Sequence, residues 1–315
     1  MNSMKIFSTE ESRKIANQIC EKLGVELSKT EKEKFSDGEF AISLKRTVRG
    51  DKAFIVGSTH QSNYNDNFME LLMMIRAAKD SNAKEVVVIN PYYGFARQDR
   101  KVKDRSCITA KLTADMIKTA GATSIVTVDI HARQIQGFFD FPSDNIDGYR
   151  MLLPYLESTM TDDTIICSPD QGGYVRASIF AKELGNLNMA VINKRRERPN
   201  EIASMELIGD VNGKDVVIID DMIDTAGTLC KAVSYLKEEG AKSVRAIITH
   251  PVLSGNAFSN LNDSDLDELI ISDTIPKATD VQESLHGLKV TVISCADEMA
   301  KVIQAIDNNK SITNH

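Results

Sequence analysis

The sequence predicts an α/β fold in which mostly parallel sheets are flanked by helices. Three observations predict it. Short unbroken runs of β-branched residues recur along the 315 residues, amphipathic stretches separate many of them, and one strand–helix–strand pattern occurs twice.

The strand runs are KAFIVGS (52–58), EVVVIN (85–90), SIVTVDIH (124–131), TIICSP (164–169), MAVINK (189–194), DVVIID (215–220), SVRAIITH (243–250), ELIISD (268–273) and KVTVIS (289–294). They are continuous rather than alternating, as strands buried on both faces are. Between them, NDNFMELLMMIRAAKDSNA (65–83) and GTLCKAVSYLKEEGA (227–241) carry apolar residues three and four apart, the spacing of one helix face. AGATSIVTVDIH (120–131) and EGAKSVRAIITH (239–250) share Gly-Ala-x-Ser, a strand and a terminal His, and each follows a similar strand, KEVVVINPY (84–92) and KDVVIIDDM (214–222). Chance likeness between two βαβ units and duplication of a domain both produce this pattern. The Pro, Ser, Asn and Gly of PSDNIDGYR (142–150) read as a linker. The expected division is a first domain over 1–146 and a second over 147–296, with 297–315 available to pack back on the first.

Composition narrows the function. The chain is 42% hydrophobic and 26% charged with a net charge of −7, which disfavours nonspecific binding to nucleic acid or a membrane surface. Its five cysteines are scattered without metal-ligand spacing and read as reduced thiols. No run approaches the ~18 apolar residues of a membrane span, and the first residues lack a signal-peptide core. The expected compartment is the cytoplasm.

Four stretches carry chemistry. In VVIIDDMIDTAGT (216–228), the strand Val216–Ile219 ends at Asp220, Asp221 and Asp224, and Thr225-Ala226-Gly227-Thr228 opens a helix near Gly227. Free N–H groups at a helix start favour a phosphate, and Gly227 permits close approach. Carboxylates repel phosphate but accept hydrogen bonds from hydroxyl groups. A ribose 5-phosphate satisfies both halves, and a bound magnesium is another way to absorb the charge. An acidic helix cap is the plain alternative, although a cap needs one Asp rather than three. NKRRERP (193–199) places Lys194, Arg195, Arg196 and Arg198 after a strand, as cations for phosphates or as a solvated loop. SPDQGG (168–173) sets Asp170, Gln171, Gly172 and Gly173 where backbone amides can approach a diphosphate, or where a simple turn sits. In VDIH (128–131), Asp129 and His131 are two apart on an expected strand and so share a face.

Together with EKFSDGE (33–39), NPYYGFARQDRK (90–101) and VDIHARQIQGFFDFP (128–142), these stretches resemble, in order, the ribose-phosphate pyrophosphokinase family of the type I phosphoribosyltransferase fold. The resemblance covers nearly the whole chain. It implies two tandem phosphoribosyltransferase-like domains and transfer of the β,γ-diphosphoryl group of ATP to the C1 hydroxyl of D-ribose 5-phosphate, with Mg2+. It also implies a homo-oligomer, a hexamer, in which Phe35, Asp37, Gly38 and Glu39 reach the nucleotide of a neighbouring subunit. Arg97, Gln98 and Asp99 are implied at the same ATP. Lys194 and Arg196 are the implied catalytic cations, Arg196 also on the sugar phosphate. The ribose 5-phosphate is implied on Asp220, Asp221, Asp224, Thr225, Ala226, Gly227 and Thr228. The resemblance assigns His131 and Asp170 to the metal, Asp129 more weakly, and 170–173 to the pyrophosphate. Three residues or segments depart from the family pattern: Pro251 after His250, Arg133 in VDIHARQ, and the polar tail NNKSITNH. The tail leaves regulation by phosphate and nucleoside diphosphate open.

Overall fold

The computed structural model describes residues 4–59, 64–198, 201–276 and 281–312, with backbone alone at 194–198 and 201–204. They fall into two compact units, one of residues 1–147, 274–276 and 294–315 and the other of residues 148–273 and 277–293.

The first unit begins with β1 (Lys5–Ser8), α1 (Arg13–Leu23), β2 (Thr30–Lys34), β3 (Phe40–Leu44), β4 (Lys52–Val56) and α2 (Tyr64–Asp80). It continues with β5 (Glu85–Asn90), α3 (Thr109–Ala120), β6 (Ser124–Val128) and β7 (Ser143–Ile146). Its sheet runs β1-β4-β5-β6-β7 with every pair parallel, and β2 and β3 form a separate antiparallel hairpin. Val86 and Val88 of β5 pack with Leu71, Ile75 and Ala78 of α2 and with Ala114 and Ile117 of α3. Apolar residues at 71, 75 and 78 share one helix face, which is why this helix covers the sheet.

The second unit holds α4 (Tyr149–Thr159), β8 (Thr164–Ser168), α5 (Tyr174–Glu183), β9 (Met189–Arg198), β10 (Glu201–Ile208) and β11 (Asp215–Ile223). It continues with α6 (Gly227–Glu238), β12 (Ser243–Pro251), α7 (Ala257–Asn262), β13 (Glu268–Ser272), α8 (Val281–Ser284) and β14 (Lys289–Ile293). Its strand order is β10-β9-β8-β11-β12-β13-β14; only β9–β10 is antiparallel. β11 shows why its sequence lacks alternation. Val216 and Ile218 enter one core with Leu229, Ala232, Val233 and Leu236 of α6, while Val217 and Ile219 enter another with Ala177 and Phe180 of α5 and Leu152 and Leu156 of α4. The repeated pattern maps onto β5-α3-β6 and β11-α6-β12, one in each unit.

Two strand expectations need correction. The strand expected to end at Ile219 continues to Ile223, because β12 runs alongside and pairs Met222 with His250 and Ile223 with Pro251. The strand expected over 124–131 stops at Val128. Asp129 takes a left-handed φ of 39°, and the Asn145 side chain accepts the Ile130 N–H at 2.8 Å, drawing the backbone out of the ladder. Asp129 and His131 therefore do not share a strand face.

The last helix, α9 (Ala296–Asp307), belongs to the first unit and packs against α1. The buried Lys52 at the start of β4 anchors its end. Lys52 Nζ donates to the carbonyls of Ile306 at 2.8 Å and Asp307 at 3.2 Å and to Asn309 Oδ1 at 2.9 Å. A cation at a helix C-terminus satisfies carbonyls that have no intrahelical partner and complements the dipole. Asn309, in the polar tail, adopts φ 52°, as a residue just past a helix often does. Lys52→Met keeps the stem and removes the donors. It should lower unfolding free energy by about 2–3 kcal/mol, the worth of hydrogen bonds to a charged group, read as a shifted urea midpoint of the transition that carries α9.

Candidate active site

In open α/β sheets, ligands sit beyond the carboxyl ends of the strands. In the second unit that edge carries the loops after β8 and β11. After β8, Ser168 Oγ donates to the Asp170 carbonyl at 2.7 Å, and Asp170 Oδ1 accepts the Gly173 N–H at 2.9 Å. Gln171 Nε2 reaches Asn193 Oδ1 at 3.0 Å. A Cβ built on Gly173 would lie 2.9 Å from Ser168 Oγ, so a larger residue at the start of α5 would displace the hydroxyl that donates to Asp170. This turn therefore engages one Asp170 oxygen locally.

Asp220 and Asp221 are consecutive within the last four residues of β11. Asp221 N–H donates to Asp220 Oδ1 at 2.9 Å, and Arg176 Nη1 lies 3.6 Å from Asp221 Oδ1 and 3.9 Å from Asp220 Oδ1. Arg176 comes from the first turn of α5, so the two loops share one charge cluster. Burial, then repulsion from Asp221, pushes the Asp220 carboxyl well above its ordinary value; Arg176 opposes the shift. The chain then turns through Asp224 and the exposed Thr225 to Ala226, which holds a left-handed φ of 62° and caps α6. Gly227 and Thr228 form the first turn of that helix.

Arg176, Ser254 and Asn260 complete this corner and were not singled out from sequence. Ser254 Oγ donates to the Asp224 carboxylate, and Asn260 Nδ2 donates to the Thr225 carbonyl at 2.8 Å. Arg176 had a readable signal, three residues beyond the Gly172-Gly173 pair. Asn260 had none, since it lies 35 residues from its partner.

The basic stretch is a further correction: β9 extends through Arg198 rather than ending before a loop. Lys194 pairs with Met205 and Arg196 with Ile202, because β10 folds back along it. The side chains of Lys194 and Arg196 lie outside the described residues.

In the first unit, Arg97, Gln98 and Asp99 follow β5 through a turn in which Gln98 N–H donates to the Phe95 carbonyl at 2.8 Å. Gln98 Oε1 accepts from Thr109 Oγ1 at 2.6 Å, and Asp99 Oδ2 accepts from Gln134 Nε2 at 3.1 Å. The last bond ties 97–99 to the segment after His131. The unusual Arg133 has a partner, Asp147, at 2.7 Å. Phe35, Asp37, Gly38 and Glu39 form the tip of the β2–β3 hairpin. Phe35 N–H donates to the Glu39 carbonyl, Glu39 N–H to Asp37 Oδ1, and Gly38 takes φ 99°. The Phe35 ring is 45% exposed, while Lys32 anchors the hairpin to Glu70 of α2 at 2.6 Å.

Two tandem phosphoribosyltransferase-like domains, with an acidic strand end running into an amide-lined helix start, define the class. The model of the N-terminal domain of ribose phosphate pyrophosphokinase matches residues 4–121, and that of the phosphoribosyl synthetase-associated domain matches 186–315. The chain is 45% identical to the ribose-phosphate pyrophosphokinase of Vibrio parahaemolyticus over 314 residues, 99% of each chain. It is 45% identical to that of Wolinella succinogenes over 312 residues, 99% of this chain and 98% of the other. The crystal structure of phosphoribosylpyrophosphate synthetase from Mycobacterium smegmatis superposes with a TM-score of 0.90 at 38% identity, covering 98% of this chain and all of that one. The chain belongs to the ribose-phosphate pyrophosphokinase family.

The Asp220 shift has a testable consequence for the free protein. A carboxyl raised on folding above its ordinary value of 3.8 binds its proton more tightly when folded. Its contribution to stability is complete below the ordinary value and is lost as pH rises through the raised one. Asp220→Asn removes that loss. Its melting temperature should exceed wild type at pH 7 and converge with it below about pH 4; calorimetry across this range checks it.

Proposed function

We propose that this protein is a ribose-phosphate diphosphokinase that converts ATP and D-ribose 5-phosphate to AMP and 5-phosphoribosyl diphosphate. The observation that carries the reading is the join between Asp220–Asp221 and the turn 224–228. Carboxylates suited to accept a sugar's hydroxyls adjoin a helix start suited to its phosphate. The C1 hydroxyl attacks the β-phosphorus, the bond from that phosphorus to the oxygen of the α-phosphate breaks, AMP leaves, and the hydroxyl proton is released to solvent. Positioning and charge neutralisation supply most of the rate in such transfers.

Roles follow from chemistry and family resemblance. Asp220, Asp221, Asp224, Thr225, Ala226, Gly227 and Thr228 bind the sugar phosphate, and Lys194 and Arg196 neutralise the transferring phosphates. Asp170 through Gly173 receive the diphosphate. Arg97, Gln98 and Asp99 bind ATP together with Phe35, Asp37, Gly38 and Glu39 of a neighbouring subunit in a homohexamer. An aromatic ring left half-exposed at a hairpin tip is suited to stack on a base beyond its own subunit.

Among the described residues no group of three or more His, Cys, Asp and Glu gathers as a metal cage. Magnesium binds through one or two carboxylates together with substrate phosphates, and Asp170 is one such carboxylate at the proposed diphosphate turn. By family resemblance Asp170, one of whose oxygens accepts from Gly173, is a metal residue of the second unit, and His131 and more weakly Asp129 are metal residues of the first. Magnesium, when bound, neutralises charge on the diphosphate. No helix among the described residues is long and apolar enough to cross a membrane. The free cysteines among them suit the reducing cytoplasm as the working compartment.

Incubation with magnesium, ATP and ribose 5-phosphate should release AMP in step with 5-phosphoribosyl diphosphate; consumption of the latter without AMP would overturn the reading. Lys194→Ala should lower kcat about 10²–10³-fold with little change in KM, as loss of a transition-state contact does. Asp220→Ala should raise KM for ribose 5-phosphate about tenfold or more, as loss of ground-state binding does. Steady-state kinetics with each substrate varied separates the two.

A further inference from the structure

Three successive carbonyls, from the last residue of β11 into the loop after it, are held by a single segment. Leu253 N–H donates to the Ile223 carbonyl at 3.0 Å, Ser254 N–H to that of Asp224 at 3.0 Å, and Asn260 Nδ2 to that of Thr225 at 2.8 Å. A carbonyl can only accept, so the Asn260 atom facing Thr225 is its amide nitrogen. In a planar trans peptide the C=O of one residue and the N–H of the next point in opposite directions. With its carbonyl tied to α7, the Thr225–Ala226 peptide directs the Ala226 N–H away from that helix. The same holds for the N–H groups of Asp224 and Thr225, each of which follows a tied carbonyl.

The segment is shaped for this contact. Leu253 and Gly255 take left-handed φ values of 49° and 55°. A Cβ on Gly255 would lie 3.8 Å from Thr225 Cγ2, and one on Gly227 would lie 4.0 Å from Asn260 Nδ2. Asn260 therefore backs the loop at Gly227 as well as at Thr225. Without its donor, the Thr225–Ala226 peptide is free to turn its carbonyl oxygen toward the ligand side, where it repels an anion and withdraws one N–H.

We infer that residues 253–260 set the direction of the amides in the phosphate turn, and that Asn260 is a positioning residue for the phosphate of the sugar substrate. The inference rests on the proposed placement of that phosphate at 224–228. Asn260→Leu and Asn260→Asp both remove the donor, and the second keeps the shape. Asn260→Gln keeps the amide. Each is compared with wild type by calorimetric titration of ribose 5-phosphate and by steady-state kinetics in both substrates.

The Leu and Asp variants should bind ribose 5-phosphate about tenfold more weakly, with KM rising likewise. KM for ATP should stay within about twofold and kcat fall less than about threefold, while Gln recovers most of the affinity. A merely structural role would lower the melting temperature and raise both KM values together, which overturns the inference. So does ribose 5-phosphate binding by Asn260→Leu and Asn260→Asp within about twofold of wild type. If Asn260→Leu does not fold, Asn260→Asp decides. A wild type that binds ribose 5-phosphate without forming AMP would remove the proposed reaction and leave this inference standing. A wild type that forms AMP, beside an Asn260→Asp variant of unchanged affinity, would do the reverse.

Discussion

Two carboxylates on successive residues, with one guanidinium within 4 Å of both, constrain the whole corner around β11. The attraction is limited. Arg176 and Asp220 are 21% and 30% exposed, so water screens the pair, and such contacts are worth about 1 kcal/mol or less. Burial of Asp220 and repulsion from Asp221 outweigh it, which is why the Asp220 carboxyl still sits well above its ordinary value. Hydroxyl donors beside Asp220 and Asp221 would favour their ionised forms, as hydrogen bonds to a carboxylate do.

The position of this carboxylate pair depends on the strand beneath it. β11 pairs in parallel with β8 and β12, and its four residues Val216–Ile219 fill two opposite cores. A slip of one residue would exchange those faces and drive Asp220 into one of them. The aliphatic run therefore sets the position of the aspartates. The segment 253–260 holds the next residues, where sheet pairing has ended. The same division holds after β8, where the ladder ends at Ser168 and local bonds from Ser168 and Asp170 shape the turn.

This division explains what was legible in the sequence. Each of the nine runs expected as strands holds one, and in most of them burial on both faces leaves a compositional trace that needs no knowledge of neighbours. β2 (TEKEK) and β7 (SDNI) leave none: the first is a largely exposed hairpin strand and the second a short edge strand. β10 was hidden for a different reason, since its pairing with β9 turned an expected loop into a strand. At the site, the acid residues and glycines were readable because their chemistry is local. Arg176, Ser254 and Asn260 act through folding, and the last two meet the loop only because β12 runs beside β11. Asp129 misled because strand periodicity assumes that the ladder continues, and the Asn145 side chain ends it.

The duplicated pattern sharpens the contrast between the two units. Aligning KEVVVINPY with KDVVIIDDM sets Asn90 opposite Asp220 and Pro91 opposite Asp221. Both strands reach this position through the same aliphatic run, yet the environments differ. Asn90 is fully buried, and among the described residues neither atom of its amide has a hydrogen-bond partner, whereas Asp220 is partly exposed beside a cation. An amide can be buried at a cost of about 1–3 kcal/mol per unpaired group, but an ionised carboxylate cannot be buried so cheaply. The first unit closes this strand end with Pro91, Tyr92 and Tyr93, all buried, and presents its polar residues further on, at 97–99. The second keeps the strand end open and acidic. The two strand–helix–strand patterns thus present chemically different edges, a carboxyl at 220 that meets solvent and an amide at 90 that the core encloses.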